Sequence, residues 1–329
     1  MEFGFVARLP IENGYLFVHL PKTAGTSFRD SLADIFADGL YCDYGFEEDT
    51  TTPIVKDYIY QRQEFVDFAS FLADLNKPIC ISGHYPIRKY APFFAIKNVM
   101  LFLRNPVQRT ISQYEHMRRV DGLQESMESF CSKPMYMNLQ TRNIGRAPLN
   151  LIGFVGLQEY YSESLQLLAF QNGLQIKESF LNVNEKRSTE KYKLDEETLG
   201  LIRRNNDKDL ALYKMAKKMF LQRYEFFSAG KTYVHAAVTQ QNANKVAGWV
   251  LNHNSDLPVK IAIYVDGVER AQLRADAYRH DLREWNVGRQ GYVGFEFTFK
   301  KPLAEHSHVE CVVLETGQQI YNPFAATKS

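Results

Sequence analysis

Cysteine is scarce in this 329-residue sequence: Cys42, Cys80, Cys131 and Cys311 stand far apart and form no CxxC pair. That argues against a disulfide-stapled scaffold and a structural zinc site, and predicts reduced, mostly buried thiols. Charge of one sign is lacking too. With 39 Lys plus Arg against 38 Asp plus Glu, a formal charge near +1 gives no electrostatic case for a protein that coats nucleic acid. Any anion site must be local. No apolar run reaches about 18 residues, and Glu2, Arg8, Pro10, Glu12 and Asn13 interrupt the opening residues where a signal peptide needs an apolar stretch. The expectation is a soluble, cytoplasmic chain with no transmembrane segment. Internal repeats, low-complexity segments and His/Asp/Glu clusters at metal-ligand spacing are missing as well, so no metal is expected.

What is present is ordinary globular composition, 45% hydrophobic and 23% charged, at a length that predicts about two domains. Tyr15 to Leu20 (YLFVHL), Pro78 to Ser82 (PICIS) and Asn98 to Leu103 (NVMLFL) are continuous apolar runs of the kind a buried parallel sheet needs. Helical patterns cover Gln61 to Leu75, Pro106 to Arg119 and Leu194 to Arg223, and Phe28, Leu32, Ile35 and Phe36 recur at helical spacing after Ser27. This alternation predicts a P-loop-like three-layer α/β domain over about residues 1–230. From Val246 the texture changes to short runs (VAGWVL, VKIAIYV, GFEFTF, VECVVL) separated by turn signals such as Asp266-Gly267 and Thr316-Gly317. These predict a small all-β sandwich over 231–329.

The first strand feeds Pro21-Lys22-Thr23-Ala24-Gly25-Thr26-Ser27, a small-residue turn ahead of a helix. Backbone N–H groups, the helix dipole and one lysine converge there on an anion, with the Thr23, Thr26 and Ser27 hydroxyls as further donors. A nucleotide-hydrolysing P-loop reads GxxxxGK[ST]; here Lys22 precedes Gly25 instead, so that motif is absent. Gly230-Lys231-Thr232 imitates its ending but lacks the upstream glycine and a following helix. In the second segment, Leu103-Arg104-Asn105-Pro106-Val107-Gln108-Arg109, Arg104 leaves a buried strand at its C-terminal end. Ser112 lies about two turns into the following helix, so the pair can share a second phosphate. Asn105 as N-cap and Pro106 at the first helical position are explained structurally.

HLPKTAGTS followed by FLRNPVQRTISQY resembles the cofactor-binding pair of PAPS-dependent sulfotransferases, particularly the carbohydrate enzymes related to heparan sulfate 2-O-sulfotransferase. The resemblance implies that Lys22, Thr23, Ala24, Gly25, Thr26 and Ser27 surround the 5'-phosphosulfate, and that Arg104 and Ser112 hold the 3'-phosphate. It extends more weakly through Asn138-Leu139-Gln140-Thr141-Arg142, through 153–158 and through 181–184, covering about residues 13–227. Lys186 and Arg187 then close over the nucleotide, or form a solvated basic loop. Sulfuryl transfer needs a cation at the breaking bond and a base for the acceptor hydroxyl. Lys22 suits the first role. Of eight histidines, His84 suits the second: it follows Gly83 at the end of a buried strand, and the related enzymes place a catalytic histidine after the corresponding strand. His19 reads as a packed strand residue and His116 as a surface or supporting residue.

The expected activity is transfer of a sulfuryl group from PAPS to a hydroxyl acceptor, a carbohydrate or glycoconjugate. Two other classes remain open: a kinase or NTPase with an atypical loop, and a glycan-binding protein without catalysis. Trp249, Tyr264, Trp285 and Tyr292 offer the second domain a platform for sugar rings, although Trp249 inside VAGWVL reads as core. Oligomerisation is open.

Overall fold

The computed structural model describes residues 10–11, 13–176 and 194–322. The chain divides into two compact units, Met1–Phe94 with Asn98–Phe220, and Ala95–Lys97 with Leu221–Ser329.

The first unit is built on a wholly parallel five-stranded sheet in the order β2-β3-β1-β4-β5. Its strands are β1 (Gly14–Val18), β2 (Leu40–Asp43), β3 (Ile79–Gly83), β4 (Val99–Leu103) and β5 (Phe154–Leu157). Every residue of β3, β4 and β5 is buried, as the continuous apolar runs require, whereas the edge strand β2 alternates. Helix α1 (Gly25–Phe36) follows the first strand and buries Phe28, Leu32 and Phe36. The Phe28 ring lies 4.6 Å from that of Phe17 on β1 and 5.0 Å from that of Phe102 on β4, which fixes the helix start over the centre of the sheet. Complete burial of such a side chain contributes about 1.5–3 kcal/mol.

Further helices are α2 (Pro53–Val55), α3 (Phe65–Asp74), α4 (Pro106–Val120), α5 (Met127–Cys131), α6 (Leu139–Ile144), α7 (Tyr161–Asn172), α8 (Glu196–Asn205) and α9 (Asp207–Ser228). Two helix expectations need correction. The segment from Gln61 belongs first to a π turn over Lys56–Gln61 that continues α2, and α3 starts only after Gln63 has taken a left-handed φ of 60°. Leu194 to Arg223 is two helices, because Asn206 leaves helical geometry (φ −126°, ψ 33°). Its side chain instead donates to the Ile202 carbonyl and accepts from the Asn138 N–H.

The second unit holds two four-stranded antiparallel sheets, ordered β10-β11-β7-β6 and β13-β12-β8-β9. Their strands are β6 (His235–Gln241), β7 (Lys245–Leu251), β8 (Lys260–Val265), β9 (Val268–Arg274), β10 (Ala277–Tyr278), β11 (Tyr292–Thr298), β12 (Val309–Val313) and β13 (Gln319–Ile320). Val238, Val246, Val250 and Phe295 of one sheet share a core with Ile261, Ile263, Cys311 and Val313 of the other, so the pair is a sandwich. Asp266 and Gly267 both take positive φ and close the β8–β9 hairpin, as their sequence signals. Gly230-Lys231 is a helix stop: the Gly230 N–H bonds the Phe227 carbonyl and the Lys231 N–H the Phe226 carbonyl. Trp249 is core. Trp285 is buried as well (8% exposed), which removes both tryptophans from the suggested platform; Tyr264 donates to Glu269, and Tyr292 stays exposed beside Tyr278.

All four cysteines are free thiols, three buried and Cys42 half-buried. No helix among the described residues is long and apolar enough to cross a membrane.

Candidate anion and transfer site

Because the sheet is parallel, the C-terminal ends of β1, β3 and β4 bring their following residues to one edge, the edge at which open α/β sheets bind ligands. After β1 come His19 and the 21–27 loop, after β3 His84, and after β4 Arg104. The His19 N–H bonds the Gly83 carbonyl and the His84 N–H bonds the Asp43 carbonyl. Both histidine backbones therefore extend the strand ladder by one residue and are fixed by it.

The loop is a strained nest. Lys22 (φ 68°) and Ala24 (φ 74°, ψ 12°) both adopt left-handed backbone, which costs an L residue about 1–2 kcal/mol. Ala24 is the N-cap of α1 and supplies no capping side chain, and no acid stands in the first turn. An anion there meets the positive end of the helix. Thr23 is buried with its hydroxyl donating to the Leu20 carbonyl (2.8 Å), so it holds the loop shut on itself. Thr26 is exposed, while Gly25 and Ser27 are buried.

Lys22 is half-buried, and its pKa is lowered by burial first and then by the charges of Arg119 and Arg104. Arg104 Nη1 donates to the Lys22 carbonyl (3.2 Å), so the second sequence segment touches the first. His116 on α4 is lowered by burial, Lys22 and Arg119, with Asp121 opposing. Neither Lys22 nor Arg119 forms an ion pair among the described residues. Lys22, Arg104 and Arg119 thus make this corner cationic, although Asp121 stands close enough to oppose their effect on His116. Ser112 is half-buried on α4, whose start is capped by Asn105 accepting from the Val107 and Gln108 N–H groups. Arg187 and Lys186 lie outside the described residues.

On the other side of the loop, three rings meet. His84 and His19 are 4.6 Å apart edge to face, and Tyr44 stands 4.8 Å from His84 and 5.7 Å from His19. The Tyr44 hydroxyl lies 2.8 Å from His19 Nδ1 and 3.4 Å from Ser82 Oγ. The His84 ring is open to solvent, yet protein crowds around it, and this desolvation, followed by the charge of Arg29, pushes its pKa down to about 4. His19 is 5% exposed and is held at about 3 by burial, then His84, Arg29 and Lys22. Both imidazoles are neutral near pH 7, and of the two His84, exposed where His19 is enclosed and bonded to Tyr44, is the one placed to take a proton from an acceptor.

The sequence assigned His19 to packing alone; the structure places its ring against Gly25, where an added Cβ would stand 2.0 Å from Cδ2. Tyr44 carried no signal at all, since it meets His19 across 25 residues.

No family model matches the sequence, and no curated protein matches it. Among solved structures the chain is similar to retinol dehydratase in complex with androsterone and the inactive cofactor PAP, at 12% identity and a TM-score of 0.31 over 62% of this chain and 67% of that one. It is also similar to a sulfotransferase from Alicyclobacillus acidocaldarius, at 18% identity and a TM-score of 0.29 over 49% of this chain and 80% of that one.

Proposed function

We propose that the chain transfers a sulfuryl group from PAPS to a hydroxyl of a carbohydrate or glycoconjugate. The observation that carries this reading is the meeting of Arg104 with Lys22 over an uncapped helix start, which joins two anion-binding elements into one cationic corner. A donor with a 5'-phosphosulfate and a 3'-phosphate suits a nest and a separate guanidinium better than a nucleoside triphosphate does, and the loop lacks the GK[ST] order that triphosphate sites use. In the reaction, the acceptor oxygen forms a bond to sulfur as its proton passes to neutral His84. The bond from sulfur to the 5'-phosphate oxygen breaks, its electron pair stays on that oxygen, and Lys22 neutralises the charge. Such in-line transfer is chiefly positioning and charge stabilisation.

The test is to measure melting with adenosine 3',5'-bisphosphate (PAP) and with ATP, then turnover of labelled PAPS with panels of polysaccharides, lipids and small alcohols. PAP should raise the melting temperature more than ATP does. His84→Ala should lose about 10²–10⁴ in rate with PAP affinity nearly unchanged, and Lys22→Ala should lose both. A melting curve unmoved by millimolar PAP removes the reading.

A further inference from the structure

Arg104 is held by its backbone. Gln140, wholly buried on α6, faces the Arg104 peptide with both ends of its amide: Oε1 accepts from the Arg104 N–H (3.0 Å) and Nε2 donates to the Arg104 carbonyl (2.9 Å). The backbone fixes which end is which, since an N–H can only donate and a carbonyl only accept. Gln140 is anchored in turn. Asp209, wholly buried on α9, accepts from the Gln140 N–H (3.0 Å), the Thr141 N–H (2.7 Å) and the Thr141 hydroxyl (2.6 Å). Its own N–H returns to Asn138 Oδ1 (3.1 Å), so a carboxylate nearly seventy residues away caps the six-residue helix α6.

Arg109, also wholly buried, feels Asp209 as its one opposing charge and donates through Nη2 to Thr110 and to the Tyr136 carbonyl. A wholly buried amide spent on one peptide, and a wholly buried acid spent on that amide's helix, exceed what a loop connection needs. They suit a guanidinium whose aim matters.

We infer that Gln140, braced by Asp209, is a positioning residue that aims Arg104 at the 3'-phosphate of the donor; this rests on the sulfuryl-transfer reading. The peptide of Arg104 sets where its side chain starts, and a bidentate guanidinium–phosphate contact tolerates little angular error. Gln140 itself touches no substrate.

The test compares the affinities of the full chain for adenosine 3',5'-bisphosphate and adenosine 5'-monophosphate, which differ only in the 3'-phosphate, by titration calorimetry. Gln140→Met keeps length and removes both bonds, while Gln140→Glu turns the group facing the Arg104 carbonyl from a donor into an acceptor and buries a negative charge there. The ratio of the two affinities is independent of how much of a preparation is active, so partial misfolding does not mimic the effect. The wild-type preference for the bisphosphate should fall about tenfold or more in Gln140→Met, the scale on which losing an orienting partner weakens other charged sites, and at least as much in Gln140→Glu, whose carboxylate repels the Arg104 carbonyl and competes for the guanidinium. Combined with Arg104→Ala, Gln140→Met should remove no further preference, because both changes act on one contact. An undiminished preference in either folded variant, or equal losses for both nucleotides, overturns the positioning role. A wild-type chain with no preference at all overturns the transfer reading itself, and the inference with it.

Discussion

At the scale of single residues, the site turns on a missing methyl group. Gly25 has negative φ and needs no special backbone freedom; what it needs is room for the imidazole of His19, which a Cβ would meet at 2.0 Å (Cδ2) and 2.3 Å (Nε2). Gly25→Ala therefore has to displace a ring that is packed against Phe17 and bonded to Tyr44, or shift the start of α1. PAP affinity should fall by about tenfold or more by calorimetry, and the imidazole signals of His19 and His84 should both move in NMR spectra. An alanine variant with unchanged affinity and spectra would show that the loop tolerates the added group. The residues of the loop and Arg104 were legible because each stands beside a strand end in its own stretch of sequence. Tyr44 and Asp209 were not, and Gln140 was noticed only within the 138–142 resemblance without its part in holding Arg104, because their partners lie 25 to 69 residues away and only the fold brings them together.

The elements show the same division between local and distant causes. The buried runs of β1, β3 and β4 announced a parallel sheet, and Asn105-Pro106 announced the start of α4. The four-residue edge strand β2 (LYCD) has too short and too mixed a pattern to be read, and the break at Asn206 depends on a bond to Asn138. Yet β2 matters to the site, since its end carries Asp43 and Tyr44 and its pairing with β3 aligns His84. Gly83 permits that pairing: a Cβ there would lie 1.8 Å from the Asp43 carbonyl oxygen. Backbone cannot step aside as a flexible side chain does. Gly83→Ala should destabilise the first unit by about 1–3 kcal/mol in denaturant titration and reduce turnover at saturating PAP. Unchanged stability in that variant would mean that β2 is not held where the ladder places it.

For the whole molecule, acid stability follows from the two histidines. The folded pKa of each is depressed, to about 3 for His19 and about 4 for His84, below the ordinary value of 6.5 that the unfolded chain keeps. Below that value the unfolded state takes up protons that the folded state refuses, so their stabilisation is complete above about pH 6.5 and declines as pH falls toward 4. Melting temperature should already drop between pH 6.5 and 5.5, before carboxylates of ordinary pKa protonate, and His19→Gln should flatten the drop. A wild-type curve level across that interval would contradict the enclosed, neutral placement of His19. The left-handed Lys22 and Ala24 have a consequence of another kind. A screen that rewards thermal resistance alone would favour glycine at these positions, because glycine relieves the backbone without touching the core. The gain would slacken the loop, so a screen blind to turnover would erode the left-handed geometry on which the proposed anion site depends.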